Sequence, residues 1–250
     1  MITSYGISEA GLIRPVNEDS ILVGTRLFVL ADGMGGYEGG QLASSTAVAA
    51  VKQYFDAHPD TVYSESAMRE AVLFANHAIL HQKVSSGTYQ EMGTTLILAA
   101  IAEDHLYWAH VGDSRLYIWN AGRLTQITKD HSFVMTLVDE GKISREEMRA
   151  HPRKNEITRA VGIRAALEVD TGTIALDSPM MILICSDGLS TPIDDNTITE
   201  AFNDCGRGEE ALKACAEQLL KKVYEAGASD NISAILVQYI PDELNNGAES

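Results

Sequence analysis

A chain of 250 residues, 45% hydrophobic and 22% charged, has the size and balance of one large soluble domain that needs neither disulfides nor a structural metal to fold. Lys and Arg number 19 against 35 Asp and Glu, a formal charge of −16, which excludes nucleic-acid backbones and anionic membranes as partners because both select basic surfaces. The three cysteines, Cys185, Cys205 and Cys215, show no paired spacing and fit a reducing cytoplasm.

Met1 to Tyr5 carries neither a basic start nor a long apolar stretch, which agrees with a cytoplasmic location. Arg14-Pro15-Val16-Asn17-Glu18-Asp19 is a charged turn by itself. Functionally, it would pair a metal-ligating Glu18 with a guanidinium suited to bidentate phosphate binding. A strand is predicted over Ile21–Ala31, running into Asp32-Gly33. The glycine-dense stretch from Asp32 to Gly40 lacks the Gly-Lys-Ser/Thr end of a phosphate loop and the spacing of a dinucleotide fingerprint. Its glycines would instead let backbone approach an ion closely.

Helices are predicted over Gln41–Ala57, ending before His58-Pro59, and over Ser64–Val84, with Ala67, Ala71, Phe74, Ala75 and Ala78 on one stripe. Strands follow at Thr95–Ala102, Leu106–Val111 and Arg115–Trp119, joined by turns short enough to make them antiparallel. Two short helical pieces lie between Asp130 and Arg153, split by Gly141, and the second opens with the capping box Ser144-Arg145-Glu146-Glu147. The remaining elements are strands Leu167–Ile174, Met180–Cys185 and Ile232–Tyr239, with a helix over Gly208–Ala226 between the last two. The apolar runs Leu96–Ala102 and Met180–Cys185 are too short to cross a bilayer. Residues 1–240 read as a single domain of helix layers outside antiparallel sheets, followed by a polar tail over 241–250.

Asp32, Asp113 and Asp187 each follow an apolar strand, and Asp230 precedes one. Singly, each is an ordinary turn residue; gathered at one sheet end they would be hard oxygen ligands for Mg²⁺ or Mn²⁺. Other phosphoester chemistries lack their motifs: no cysteine has an arginine six residues on, and no H-E-x-x-H occurs. Cys185 reads as a strand core residue. The histidines read as surface or packing residues, except that His131 is open between structure and catalysis.

Taken in order, these motifs are Arg14-x-x-Asn17-Glu18-Asp19, Asp32-Gly33-Met34-Gly35-Gly36, Gly93-Thr94-Thr95 and Gly112-Asp113-Ser114-Arg115. They continue with Asp130-His131-Ser132, Thr158-Arg159-Ala160-Val161-Gly162, Ser186-Asp187-Gly188 and Asp230-Asn231. From about Tyr5 to Ile240 the chain resembles the metal-dependent protein phosphatases of the 2C (PPM) type, particularly bacterial single-domain Ser/Thr phosphatases. The resemblance implies an α+β, four-layer αββα sandwich, with two antiparallel sheets face to face, helices outside and a metal site at one end. Asp32 would bridge two Mn²⁺ or Mg²⁺ ions. Asp187 and Asp230 would complete the first site; Glu18 and the Gly33 carbonyl would complete the second. Asp19 would hold metal-bound water, Asp113 and Asp187 would take a looser third ion, and Arg14 would orient the phosphate.

The reaction implied is hydrolysis of phosphoserine and phosphothreonine on proteins by direct attack of a metal-bridging water or hydroxide, with no protein nucleophile. The expected partners are phosphorylated proteins, including a Ser/Thr kinase, and the chain is expected to be a monomer. Residues 132–156 resemble the family's flap, which would contact the phosphoprotein. Tyr37 stands where bacterial members often have histidine, and Gln41 where glutamate is common, which leaves the proton donor open. The competing readings are a pseudophosphatase or phosphoprotein-binding regulator, from which metal carboxylates are usually lost, and a hydrolase of a small phosphoester.

Overall fold

A computed structural model describes residues 1–36, 38–87 and 90–241. The chain begins with strands β1 (Ile2–Glu9), β2 (Asp19–Val23) and β3 (Leu27–Met34), then helices α1 (Gly39–Ala57) and α2 (Glu65–Ser86). Strands β4 (Gly93–Thr94), β5 (Leu96–Ala102), β6 (His105–Val111), β7 (Arg115–Asn120) and β8 (Arg123–Gln126) follow, then α3 (Phe133–Asp139) and α4 (Arg145–Met148). The remainder is β9 (Asp170–Ala175), β10 (Met180–Cys185), α5 (Asp187–Ser190), α6 (Asp195–Asn203), α7 (Glu209–Glu225) and β11 (Ile232–Tyr239).

The strands form two sheets, ordered β1-β11-β10-β7-β8 and β2-β3-β5-β6-β9, with β4 beside β3, and every pairing is antiparallel. Side-chain alternation along each strand builds the layers. On β3, Phe28 and Leu30 enter a core shared with Ile182, Ile184, Ile235 and Val237 of the other sheet. The intervening Val29 and Ala31 pack against α1 and α2, through Ala43, Ala47, Met68 and Val72. On the far side Leu183, Cys185, Ala234 and Leu236 meet Ile198 and Phe202 of α6 and Leu212, Ala216 and Leu219 of α7. Three apolar layers thus join four layers of secondary structure, the αββα sandwich expected.

Several local expectations change. The run Ile21–Ala31 is two strands, turned at Gly24, whose N–H donates to the Leu27 carbonyl at 2.9 Å. β1 has no continuous apolar run, yet pairs along its whole length with β11. β8 and α6 were also not anticipated; Asp194 caps α6 by accepting from the Thr197 N–H at 2.8 Å. The strand expected at Leu167–Ile174 begins at Asp170. Phe74 is 40% exposed rather than on the buried stripe of α2, which instead carries Ala67, Met68, Ala71, Val72, Ala75 and Ile79. The capping box holds: the Ser144 hydroxyl accepts from Glu147 N–H while the Glu147 carboxylate accepts from Ser144 N–H. Tyr37 and the tail beyond 241 lie outside the described residues.

His110, on β6, is fully buried with neither ring nitrogen partnered, 4.7 Å from the His131 ring between centroids. Burial, with the His131 charge next, pushes its imidazole down to about 3. A base depressed in the folded state binds fewer protons than in the unfolded chain, so its contribution to stability falls as pH drops below the unfolded value. Between pH 6.5 and 5 this group alone should remove about 2 kcal/mol. Urea unfolding of His110→Leu across that range should lack this part of the parent's slope. Identical slopes for the two proteins would exclude it.

Candidate metal and phosphate site

In antiparallel sheets the start of one strand meets the end of its neighbour, and this brings separate motifs to one edge. Asp19, the first residue of β2, pairs with Asp32 on β3. Val111, ending β6, pairs with Leu96, starting β5. On the other sheet Cys185, ending β10, pairs with Arg115, starting β7, and with Ala234 near the start of β11. Asp113, Asp187 and Asp230 flank those termini. The two sheets are tied at this end by the Glu18 N–H, which donates to Asn231 Oδ1 at 2.9 Å. Arg14 stands exposed at the rim, its Nη2 2.8 Å from Asp230 Oδ2. The structure therefore gathers Arg14, Glu18, Asp19, Asp32, Gly33, Asp113, Asp187 and Asp230 at one end of the sandwich.

The proximity is visible in the titration behaviour. Burial pushes the Asp32 carboxyl well above the ordinary range, reinforced by the charges of Asp19, Asp187, Asp113 and Asp230. Asp113 is also pushed well up, by burial and then by Asp187 and Asp130, with Arg115 opposing. Asp19 is raised to about 6 by burial, with the Asp187 charge adding to it. Asp187 is raised to about 6 by burial and then by Asp230, against Arg115 and Arg14. Burial raises Glu18 too, while Arg14 and the Gly40 amide pull it down. Glu18 Oε1 and both Asp19 carboxylate oxygens are buried without a hydrogen-bond partner. Buried oxygens left without donors among repelling neighbours are a donor set for a hard divalent cation.

Glycine permits the close approach. A Cβ on Gly33 would lie 2.1 Å from the Gly40 carbonyl oxygen and 2.5 Å from that of Glu18. On Gly40 it would lie 2.4 Å from Glu18 Oε1, and on Gly188 1.9 Å from the Asn231 carbonyl oxygen. Polar side chains then fix the backbone. Asn231 Nδ2 donates to the carbonyls of Ala10 (3.1 Å) and Val16 (2.9 Å). Thr95 Oγ1 accepts from Asp32 N–H at 3.0 Å, and the Thr94 hydroxyl donates to the Asp32 carbonyl at 2.8 Å. Ser186 Oγ accepts from Ser233 N–H at 2.9 Å. These supports were missed as site residues. The signal for Thr94, Thr95, Ser186 and Asn231 was their place in the motifs.

Behind Asp113, Arg115 holds Asp130 through Nε (3.0 Å) and Nη2 (2.7 Å), and Gln126 Nε2 donates to the same carboxylate at 2.9 Å. His131 Nδ1 accepts from Gly112 N–H at 3.1 Å, which places its proton on Nε2, 3.2 Å from Asp170 Oδ2. His110, His131 and Asp170 bring three ligand-type atoms within 4.8 Å of one another. There, however, the Arg159 guanidinium, 2.9 Å from Asp170 Oδ1 and 3.2 Å from His131 Nε2, already supplies the cation. This group braces the Gly112-Asp113 turn.

Replacing Asp130 with Ala should strand the Arg115 charge, whose side chain is 19% exposed, at a cost of about 3–5 kcal/mol. Chemical denaturation measures this; a loss below about 1 kcal/mol would mean that the guanidinium finds another partner.

Residues 16–236 match the family model described as "Protein phosphatase 2C". The Mycobacterium tuberculosis serine/threonine protein phosphatase PstP is 38% identical over 237 residues, a span of 93% of this chain but 44% of that protein. A Listeria welshimeri serine/threonine phosphatase stp is 33% identical over 242 residues, 92% of this chain and 93% of its own length. The crystal structure of the catalytic domain of PstP in complex with two manganese ions superposes with a TM-score of 0.85 at 35% identity, covering 96% of this chain and 99% of that one. With the fold and the motif order in agreement, the chain belongs to the protein phosphatase 2C family.

Proposed function

We propose that this chain is a metal-dependent protein phosphatase acting on phosphoserine and phosphothreonine in proteins. The observation that carries the proposal is the convergence of Glu18, Asp19, Asp32, Asp187 and Asp230, with orphaned buried oxygens, beneath one rim arginine. In this reading Asp32 would serve two cations, with Asp187 and Asp230 at the first and Glu18 and the Gly33 carbonyl at the second. Asp113 and Asp187 would hold a looser third. Mn²⁺ or Mg²⁺, when bound, supplies Lewis-acid polarisation of the phosphoryl group and of water. The PstP catalytic domain, solved in complex with two manganese ions, supports a two-metal centre.

The protein's own groups position and shield. Arg14, whose Nη2 now donates to Asp230 Oδ2, carries a planar fork suited to phosphoryl oxygens. Asp19, opposite Asp32 on the neighbouring strand, would accept hydrogen bonds from water held at the site. The Arg115–Asp130 clamp and the His131 contact hold the Asp113 turn from below. Residues 1–240 would act as one catalytic unit, with 132–156 as the flap beside the site. Phosphorylated proteins are the substrates, a Ser/Thr kinase is the counterpart, and a cytoplasmic monomer is the working form. Among the described residues no helix is long and apolar enough to cross a membrane. The intact carboxylate set favours catalysis over a phosphoprotein-binding role.

Asp187→Asn should reduce hydrolysis of a phosphothreonine peptide in Mn²⁺ to background while leaving circular dichroism and the unfolding midpoint near the parent's. Near-normal turnover would overturn the site. EDTA should abolish the parent's activity and Mn²⁺ restore it; indifference to EDTA would refute the metal. Asp113→Asn should retain part of the activity that Asp32→Asn loses entirely. Arg14→Ala should lower kcat/KM by about 10²-fold, the scale for one charge-stabilising donor.

A further inference from the structure

Basic residues are scarce in this chain and unevenly placed. Seven of the 19 fall between Lys142 and Arg164, where only three acidic residues occur, against an overall charge of −16. Part of that excess is committed: Lys142 pairs with Glu140, Arg153 with Glu156, and Arg159 with Glu168 and Asp170. Arg145, Arg149 and Lys154 are exposed and make no side-chain hydrogen bond or ion pair among the described residues.

Those three side chains share a groove. A small cleft of about 50 Å³, open to solvent, has Asp113 and Asp187 in its lining and Arg149 and Lys154 beside them, with Met148 and Ser190. Arg149 and Met148 also line an adjoining cleft together with Arg145, Glu146, Asp194 and Asp195. The groove therefore opens directly off the carboxylate end and runs along α4. A peptide whose phosphoresidue sits at Asp187 has its neighbouring residues opposite Arg149 and Lys154. Two unpaired cations are complementary to an anion there, while Asp194 and Asp195 disfavour one farther along.

We propose that Arg149 and Lys154 form an anion subsite that selects phosphoprotein segments carrying a carboxylate or a second phosphate within a few residues of the scissile phosphothreonine. The inference rests on the phosphatase reading of the carboxylate end. Both groups are in solvent, so the discrimination expected is about tenfold in kcat/KM, carried by KM and reduced by salt.

The test uses the full chain with Mn²⁺ and three phosphothreonine peptides, flanked by neutral residues, by Asp and Glu, or by one phosphoserine. The parent should prefer the anionic peptides over the neutral one by about tenfold. In Arg149→Gln/Lys154→Gln that ratio should fall to within about twofold, whereas Lys221→Gln/Lys222→Gln, on α7, should keep it. Preference for both anionic peptides assigns carboxylate recognition; preference for the phosphoserine peptide alone assigns the second phosphate. Equal kcat/KM for all three in the parent, or a ratio unchanged in the double variant, would overturn the subsite while leaving the phosphatase reading intact. No hydrolysis of any peptide, or of p-nitrophenyl phosphate, would instead refute the phosphatase reading.

Discussion

Mutual repulsion among buried carboxylates is the constraint on which this structure turns. Asp32 is pressed by Asp19, Asp187, Asp113 and Asp230, and none of these can move far, because each is anchored at a strand terminus. Placing Asp19 and Asp32 directly opposite on adjacent strands is by itself unfavourable. The fold tolerates it because the two sheets and their apolar layers fix the register independently of the charges. A one-residue slip of β3 would turn Phe28 and Leu30 out of the inter-sheet core. Hydrophobic packing thus supplies the force that holds the like charges together, and the charge left over is what a cation answers.

The supporting groups follow from the same constraint. Two arginines near the cluster oppose it: Arg14 at the rim, and Arg115 beneath, itself held by Asp130. Where chain segments converge, side chains are removed rather than added, at Gly33, Gly40 and Gly188. Where backbone groups must be fixed, hydroxyls and one carboxamide do so: Thr94, Thr95, Ser186 and Asn231. The acidic floor and basic wall of the groove along α4 extend this division of charge outward.

Much of this was legible in the residue order, for physical reasons. Strands such as Met180–Cys185 and Ile232–Tyr239 are covered on both faces, so their apolar runs stand out. The carboxylates lie within short motifs at strand ends, so their positions could be read before their contacts. What escaped depends on partners distant in sequence. β1 is half-buried and mixed in composition, and it is a strand because β11 lies alongside. Phe74 sits at a helical spacing compatible with burial, yet the interior face is set by what α1 and the sheet present. The hairpin break at Gly24 was hidden in a stretch that remains β-like on both sides. The Arg159–Asp170–His131 contact joins three segments that no local pattern connects.

Asn231 links residues more than two hundred positions apart: its side chain receives Glu18 N–H and reaches the carbonyls of Ala10 and Val16. The strand that follows it, β11, is also the central partner of β1 and β10. A ribosome delivers the chain from its amino end, so Glu18, Asp19 and Asp32 emerge long before Asp230 can join them. Until β11 has been made, half of the site has no floor and β1 has no neighbour. The centre therefore assembles only once β11 has been made. A growing chain carries the early carboxylates but no completed site until β11 joins them.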